Sequence, residues 1–337
     1  MGRTAYLVDA SRTIIAGMST YVQTVLGRVD PSELGFTLPH EHTQCHLWQI
    51  PERFDYWELT PDADLIAAEL GRFRAAGGTC LVDVTLPGIG RDPAWLRRIA
   101  ERTGLYFVMG TGWYREPYYP PEALIDRRSV DELADQMIRE FEDGVSGSEG
   151  PDGARVRPGI IGEIGVHKPW VSAQEERVLR ACGRAARATG MAVTTHAVMS
   201  PVGLRQLDIL EQAGADPTRV VIGHADSYPV LAHWLAIVER GASIECDFLG
   251  MAFTPMERKG EPRVIELILE LLERGHGDRI LLSQDVCDNS QLIFYGGNGY
   301  AYLAEQFLPR LAERGVGDAE IQRLTVDNPR RILTIAR

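Results

Sequence analysis

Eight short apolar runs, each rich in β-branched residues and each followed by a longer segment of different rhythm, set the limits on what this chain folds into. They lie at 35–42 (GFTLPHEH), 79–86 (TCLVDVTL), 105–112 (LYFVMGTG), 159–165 (GIIGEIG), 191–197 (MAVTTHA), 219–226 (RVVIGHAD), 243–250 (SIECDFLG) and 279–285 (RILLSQD). Near-continuous apolar runs are what strands covered on both faces require, whereas a half-exposed strand alternates. Segments 62–76, 130–143, 173–189, 202–214, 229–240 and 262–275 carry an apolar stripe at helical spacing. In the last of these Pro262 is predicted at the first helical position and Gly275 at the stop.

Strands alternating with helices close into a barrel or spread into a doubly wound sheet. An open sheet places a glycine-rich phosphate turn after its first strand, and here that turn reads PHEH. Polar, metal-binding residue types sit instead at the ends of several strands, and a barrel gathers all those ends on one rim. The predicted fold is therefore a (β/α)₈ barrel. It is expected to occupy residues 1–337 as a single domain, with 1–20 a possible extension or extra hairpin.

His40 and His42 stand two residues apart at the end of the first run, so both imidazoles face one side. His196 ends the fifth run and His224 the sixth. Asp285 closes the eighth, where its carboxylate can both hold an ion and accept a proton from water. Glu163 sits between Gly162 and Ile164 in the fourth, and an acid is costly to bury there unless it meets a cation. These six residues are expected to hold two divalent ions, zinc foremost, with manganese, cobalt or iron also suited to mixed nitrogen and oxygen ligands. Two such ions activate a bridging hydroxide, and Asp285 takes the proton.

The remaining composition narrows the partners. A net charge of −12 argues against nucleic acid and anionic membranes. No run approaches about 18 consecutive apolar residues, so no membrane span is expected. The five cysteines are odd in number and scattered, without a C-x-x-C pair, which fits buried thiols in a reducing cytoplasm. A small-molecule substrate is the expected partner. Trp170, Phe248, Phe253 and Tyr295 fall on rim loops and are expected to give its pocket an apolar side.

GFTLPHEH at 35–42, TGMAVTTH at 189–196, RVVIGHAD at 219–226 and VDNPRRIL at 326–333 together resemble the phosphotriesterase family of the amidohydrolase superfamily. The resemblance runs from about Val22 to the end of the chain. It implies a (β/α)₈ barrel with two divalent ions bridged by a hydroxide and a side chain, and a homodimer. It also places an aromatic residue after the third strand beside the ions; Tyr114 matches better than its neighbour Trp113. Two departures matter. The best-known members bridge their ions with a carboxylated lysine on the fourth strand, where this chain has Glu163, with Lys168 lying past the strand end. The organophosphate-hydrolysing members carry a relay histidine after the seventh-strand aspartate, where this chain has Phe248 after Asp247. Both departures, with YGGNGY at 295–300, point to the phosphotriesterase-related subgroup. The expected activity is hydrolysis of a carboxylic ester, lactone or amide. Phosphotriester hydrolysis and a catalytically silent, metal-stabilised binding protein are the alternatives.

Overall fold

A computed structural model describes residues 20–47, 57–251 and 257–336. All eight apolar runs form strands, each shorter than the run that predicts it: β1 Phe36–Glu41, β2 Gly78–Asp83, β3 Tyr106–Thr111, β4 Ile160–Gly165, β5 Val193–His196, β6 Val220–Gly223, β7 Ser243–Cys246 and β8 Ile280–Leu282. Successive strands pair in parallel, from β1 to β8 in order. The sheet curls on itself. Cys80, Val82, Val108, Ile160, Val221 and Leu281 come from strands that are not all neighbours, yet they form one buried cluster with Val22 and Leu34. They meet only if the sheet wraps around them, as in a barrel interior.

The seam between β8 and β1 is laid largely by side chains. The Asp285 amide donates to the His40 carbonyl at 3.3 Å, and the Ser283 hydroxyl accepts from the His40 amide at 3.1 Å. The Glu41 carboxylate accepts from the Ser283 hydroxyl and from the amides of Gln284 and Val286, at 2.8, 2.9 and 2.8 Å. A hairpin of Thr20–Thr24 and Gly27–Val29 is joined by Ile335–Ala336 and lies at the strands' N-terminal ends, where the Val25 amide reaches the Phe107 carbonyl. The expectation of a hairpin or extension over 1–20 falls outside the described residues apart from Thr20.

The helices α1 Ala63–Ala75, α2 Pro93–Thr103, α3 Val130–Asp143, α4 Ala173–Thr189, α5 Val202–Gln212, α6 Leu231–Val238 and α7 Glu257–Glu273 fill the connections. Ser129 and Ser172 start α3 and α4 through S-x-x-E capping boxes, and Gly190 ends α4 in the left-handed region. Two sequence expectations are corrected. Helix α2 has no counterpart among the predicted segments, although Asp92 caps it and Pro93 opens it. Pro262 does not start α7 but lies inside it, five residues after Glu257. A proline that close to the N-terminus removes only a bond near the edge of the ladder, so the helix runs through it.

One buried ion pair ties the rim to the helix layer. Arg91, in the loop after β2, donates to Glu140 of α3 at 2.7 and 3.0 Å, and the Thr111 hydroxyl at the end of β3 donates to the same carboxylate at 2.7 Å. Burial alone would raise the Glu140 pKa, but the Arg91 charge and these hydrogen bonds outweigh it and hold it below the usual value of 4.5. Replacing Arg91 by methionine should destabilise the protein by about 3–5 kcal/mol, because Glu140 is left charged and buried. The contribution has a definite pH sign. A carboxyl with a depressed folded pKa stabilises fully above its unfolded pKa and loses that stabilisation as pH falls through the folded value. Urea midpoints of the two proteins should differ widely at neutral pH and converge on acidification; a constant gap would show that the charge pair is not its source.

Candidate metal centre

The C-terminal ends of five strands bring His40, His42, Glu163, His196, His224 and Asp285 together in a buried cluster. Strand alternation places the two histidines of β1 as expected: their Nε2 atoms lie 3.5 and 3.7 Å from the two oxygens of Glu163. The oxygen near His40 also lies 2.9 Å from His196 Nδ1 and 3.3 Å from His224 Nε2. Asp285 reaches in from across the seam, with Oδ1 3.1 Å from His42 Nε2 and 3.8 Å from His40 Nε2. His224 and Asp285 adopt left-handed backbone at φ +54° and +49°, unusual for residues with a side chain. Gly223 is required just before His224, since a Cβ there would stand 2.2 Å from the Thr195 carbonyl oxygen.

Partners on the far sides of the rings fix which nitrogen faces inward. His224 Nδ1 lies 2.8 Å from Asp247, and His40 Nδ1 lies 3.2 Å from Asp247 and 3.3 Å from Glu245. The Thr85 hydroxyl gives its proton to the Gln44 carbonyl, so it accepts from His42 Nδ1 at 2.8 Å. In all three rings the Nδ1 proton points outward and the Nε2 lone pair points into the cluster. His40 Nε2 is buried with no hydrogen-bond partner among the described residues. His224 Nε2 and His196 Nδ1 approach to 2.7 Å with a Glu163 oxygen beside both.

Lone pairs and carboxylate oxygens converge there without enough donors, so the cluster requires positive charge. The ionisation of its members carries the same message. Burial opposes charging His224, yet Asp247 and Glu163 beside it raise its pKa to about 10. Burial and the neighbouring His224 charge push His196 down to about 3. Burial would raise Glu163, but the surrounding imidazoles hold it well below the ordinary carboxylate value. Divalent cations answer this demand better than protons, since each can take several of these atoms at once. Two groups of ligand atoms share Glu163, one with His40 and His42 and the other with His196 and His224. A third set of close atoms, His40, His224 and Asp247, reflects the outward hydrogen bonds just described.

The expected substrate contacts fare unevenly. The Tyr114 hydroxyl lies 3.2 Å from His196 Nδ1, and Phe248 stacks on His224 at 4.5 Å between ring centres. Trp113 turns the other way into the core, with the Arg128 guanidinium over its ring. Neighbouring residues on an extended chain point to opposite sides, so only one of the Trp113–Tyr114 pair can face the cluster. Trp170 is exposed and lines a cleft of about 630 Å³ between the loops after β3 and β4, shared with Lys168. Tyr295 is exposed and packs edge-on against Phe294. Phe253 lies outside the described residues. All five cysteines are buried and unpaired.

Several buried acids behind the imidazoles are not singled out by sequence reasoning: Glu41, Asp83, Asp226 and Glu245. Burial raises the pKa of each, and Glu41 is pushed up to about 8. Their common signal is an acid within or at the end of one of the eight apolar runs, the clue that singles out Glu163.

The sequence model of the phosphotriesterase family matches residues 20–333. The chain belongs to the phosphotriesterase family. Within curated proteins it is similar to the N-acetyltaurine hydrolase of Homo sapiens, 31% identical, with 95% of this chain and 99% of that protein aligned. Among solved structures of the family's fold, a resiniferatoxin-binding protein from Rhodobacter sphaeroides superposes with a TM-score of 0.83 at 36% identity, covering 93% of this chain and 94% of that one. A lactonase from Listeria monocytogenes superposes with a TM-score of 0.82 at 26% identity, covering 94% and 100%. This family member is a hydrolase on a (β/α)₈ barrel. Among its described residues no helix is long and apolar enough to cross a membrane.

Proposed function

We propose that this protein is a metal-dependent hydrolase that cleaves a carboxylic ester, lactone or amide in a small molecule, with two divalent ions held by His40, His42, Glu163, His196, His224 and Asp285. One observation carries the reading: a single carboxylate, Glu163, lies within 3.7 Å of an imidazole nitrogen from each of four histidines. It stands where it can bridge two ions without a modified lysine, and Lys168 lies in the wall of the neighbouring cleft. Bound ions supply an acidified water as nucleophile and an electrophile for the carbonyl oxygen.

The chain's own groups do the rest. Asp285 directs Oδ1 toward His42, and its other oxygen has no partner among the described residues. That oxygen takes the proton of the attacking water and returns it to the leaving group. Burial holds the Tyr114 phenol protonated, so it donates to the oxygen on which charge develops. Phe248 covers one face of His224 and keeps water from it.

Amide and lactone bonds are favoured by the names of the hydrolase relatives. Phosphotriester cleavage ranks lower because Phe248 occupies the place of the relay histidine. A silent binding protein is the remaining competitor, and the name of the resiniferatoxin-binding structure keeps it in view. The homodimer and the cytoplasmic setting belong to the same proposal. Metal-reconstituted protein should hydrolyse N-acyl amino acids, lactones or p-nitrophenyl esters faster than paraoxon, and lose that activity to a chelator. Silence across the panel with both ions retained would favour the binding protein.

A further inference from the structure

Arg115 follows Tyr114 directly in the loop after β3. Its carbonyl accepts from the Tyr118 amide at 2.9 Å, which starts a tight turn over Glu116–Tyr118. The turn brings the Tyr118 ring to 5.5 Å from that of Tyr114, and the guanidinium lies over both, at 4.6 and 5.1 Å from the ring centres. The stem of the side chain runs across Gly165, where a Cβ would stand 2.3 Å from Arg115 Cγ. Gly165 is two residues past Glu163 and pairs in register with His196. The side chain is therefore held against the strand that carries Glu163, at the edge of the ligand cluster.

This guanidinium has no hydrogen bond or ion pair with any described residue, and its Nε is buried without a partner. Acids are not scarce in a chain with 47 of them against 35 lysines and arginines. Several other partly buried arginines are tied down: Arg91 by Glu140, Arg240 by Asp208 and Glu211, and Arg177 by three carbonyls. The adjacent carboxylate, Glu116, is turned to Gln174 at 2.8 Å. Two tyrosine faces hold the guanidinium in place by cation–π contact while leaving its in-plane donors available. A planar fork with open donors matches the oxygens of a carboxylate, sulfonate or phosphate.

We propose that Arg115 is the anion anchor of the substrate site, gripping an oxyanion that the substrate carries a short linker away from its scissile carbonyl. The proposal rests on the hydrolase reading and deepens it: the substrate class becomes anionic acyl compounds, such as N-acyl amino acids or N-acyl aminosulfonates, rather than neutral esters. Tyr118, which only supports the guanidinium, is a positioning residue.

The test compares kcat/KM of the metal-loaded full chain, Arg115→Met and Arg115→Lys on three amides with the same acyl group and linker. These are an N-acetyl β-amino acid, the corresponding aminosulfonate and the neutral carboxamide. In the parent protein the charged pair should be preferred, and the two anions are told apart by which is preferred more. Arg115→Met should reduce the anionic-to-neutral preference roughly 10- to 100-fold, the size of a charge-assisted hydrogen bond, mainly through KM. Arg115→Lys should recover part of it. A merely structural role would lower all three substrates together and leave the ratio fixed, which overturns the proposal. Calorimetric binding of the same N-acetyl β-amino acid to metal-loaded protein separates this from failure of the hydrolase reading. Absence of turnover refutes hydrolysis of these amides. Binding that weakens about tenfold or more in Arg115→Met still upholds the anchor, and absent or equal binding refutes it.

Discussion

Glu163→Gln should abolish turnover and leave the protein unable to keep two equivalents of metal, with the barrel intact. Glutamine has the shape of glutamate but replaces one oxygen by an amide nitrogen and removes the charge. Glu163 uses both oxygens at once, one near His42 and the other near His40, His196 and His224. A donor inserted among those lone pairs repels one imidazole or one ion. The expected loss in kcat/KM is roughly 10³-fold or more, about 4 kcal/mol of transition-state stabilisation. Elemental analysis should find metal content reduced to one ion or none, while the far-ultraviolet circular dichroism stays that of the parent. Two retained ions with full turnover would falsify the assignment of Glu163 as the shared ligand.

Asp285→Asn should separate the ions from the proton. The residue sits at φ +49°, a conformation that asparagine tolerates better than most side chains, so the backbone should hold. Four imidazoles and Glu163 remain in place, and most of the metal should therefore stay bound. What disappears is the oxygen that accepts the water's proton, and general-base assistance is worth about 10²–10⁴-fold. The loss should fall on kcat with little change in KM, the mark of an interaction made only in the transition state. If kcat falls less than about tenfold, the proton goes elsewhere, and the role given to Asp285 is wrong.

The strands and the inner ring of the site were legible in the sequence because each is written locally. A buried parallel strand must be an apolar run, and a histidine or acid at its end stands out against that background. His40 and His42 declare a common direction through their spacing alone. What could not be read locally depends on contacts between distant residues. Asp247 orients both His224 and His40, and Glu245 backs His40, but each looks in sequence like a single acid at a strand end. Trp113 and Tyr114 are adjacent aromatic residues; the resemblance favours Tyr114, and in the fold its ring meets His196 while Trp113 turns into the core. Helix α2 escaped because it is short and its outer side carries four charged residues, Arg97, Arg98, Glu101 and Arg102, in eleven. Pro262 misled because a position that suits a first turn is also tolerated a turn later.

The side-chain seam between β8 and β1 runs between His42 and Asp285, whose facing atoms are 3.1 Å apart. A cation shared by those two residues, as proposed, would be a cross-link over the joint of the barrel that has the fewest ladder bonds among the described residues. Its affinity and the cohesion of the sheet become one quantity, since an ion that prefers the closed seam stabilises it in proportion to the logarithm of its concentration. On the proposed reading, scarcity of metal would loosen the scaffold at the same place where it silences the chemistry.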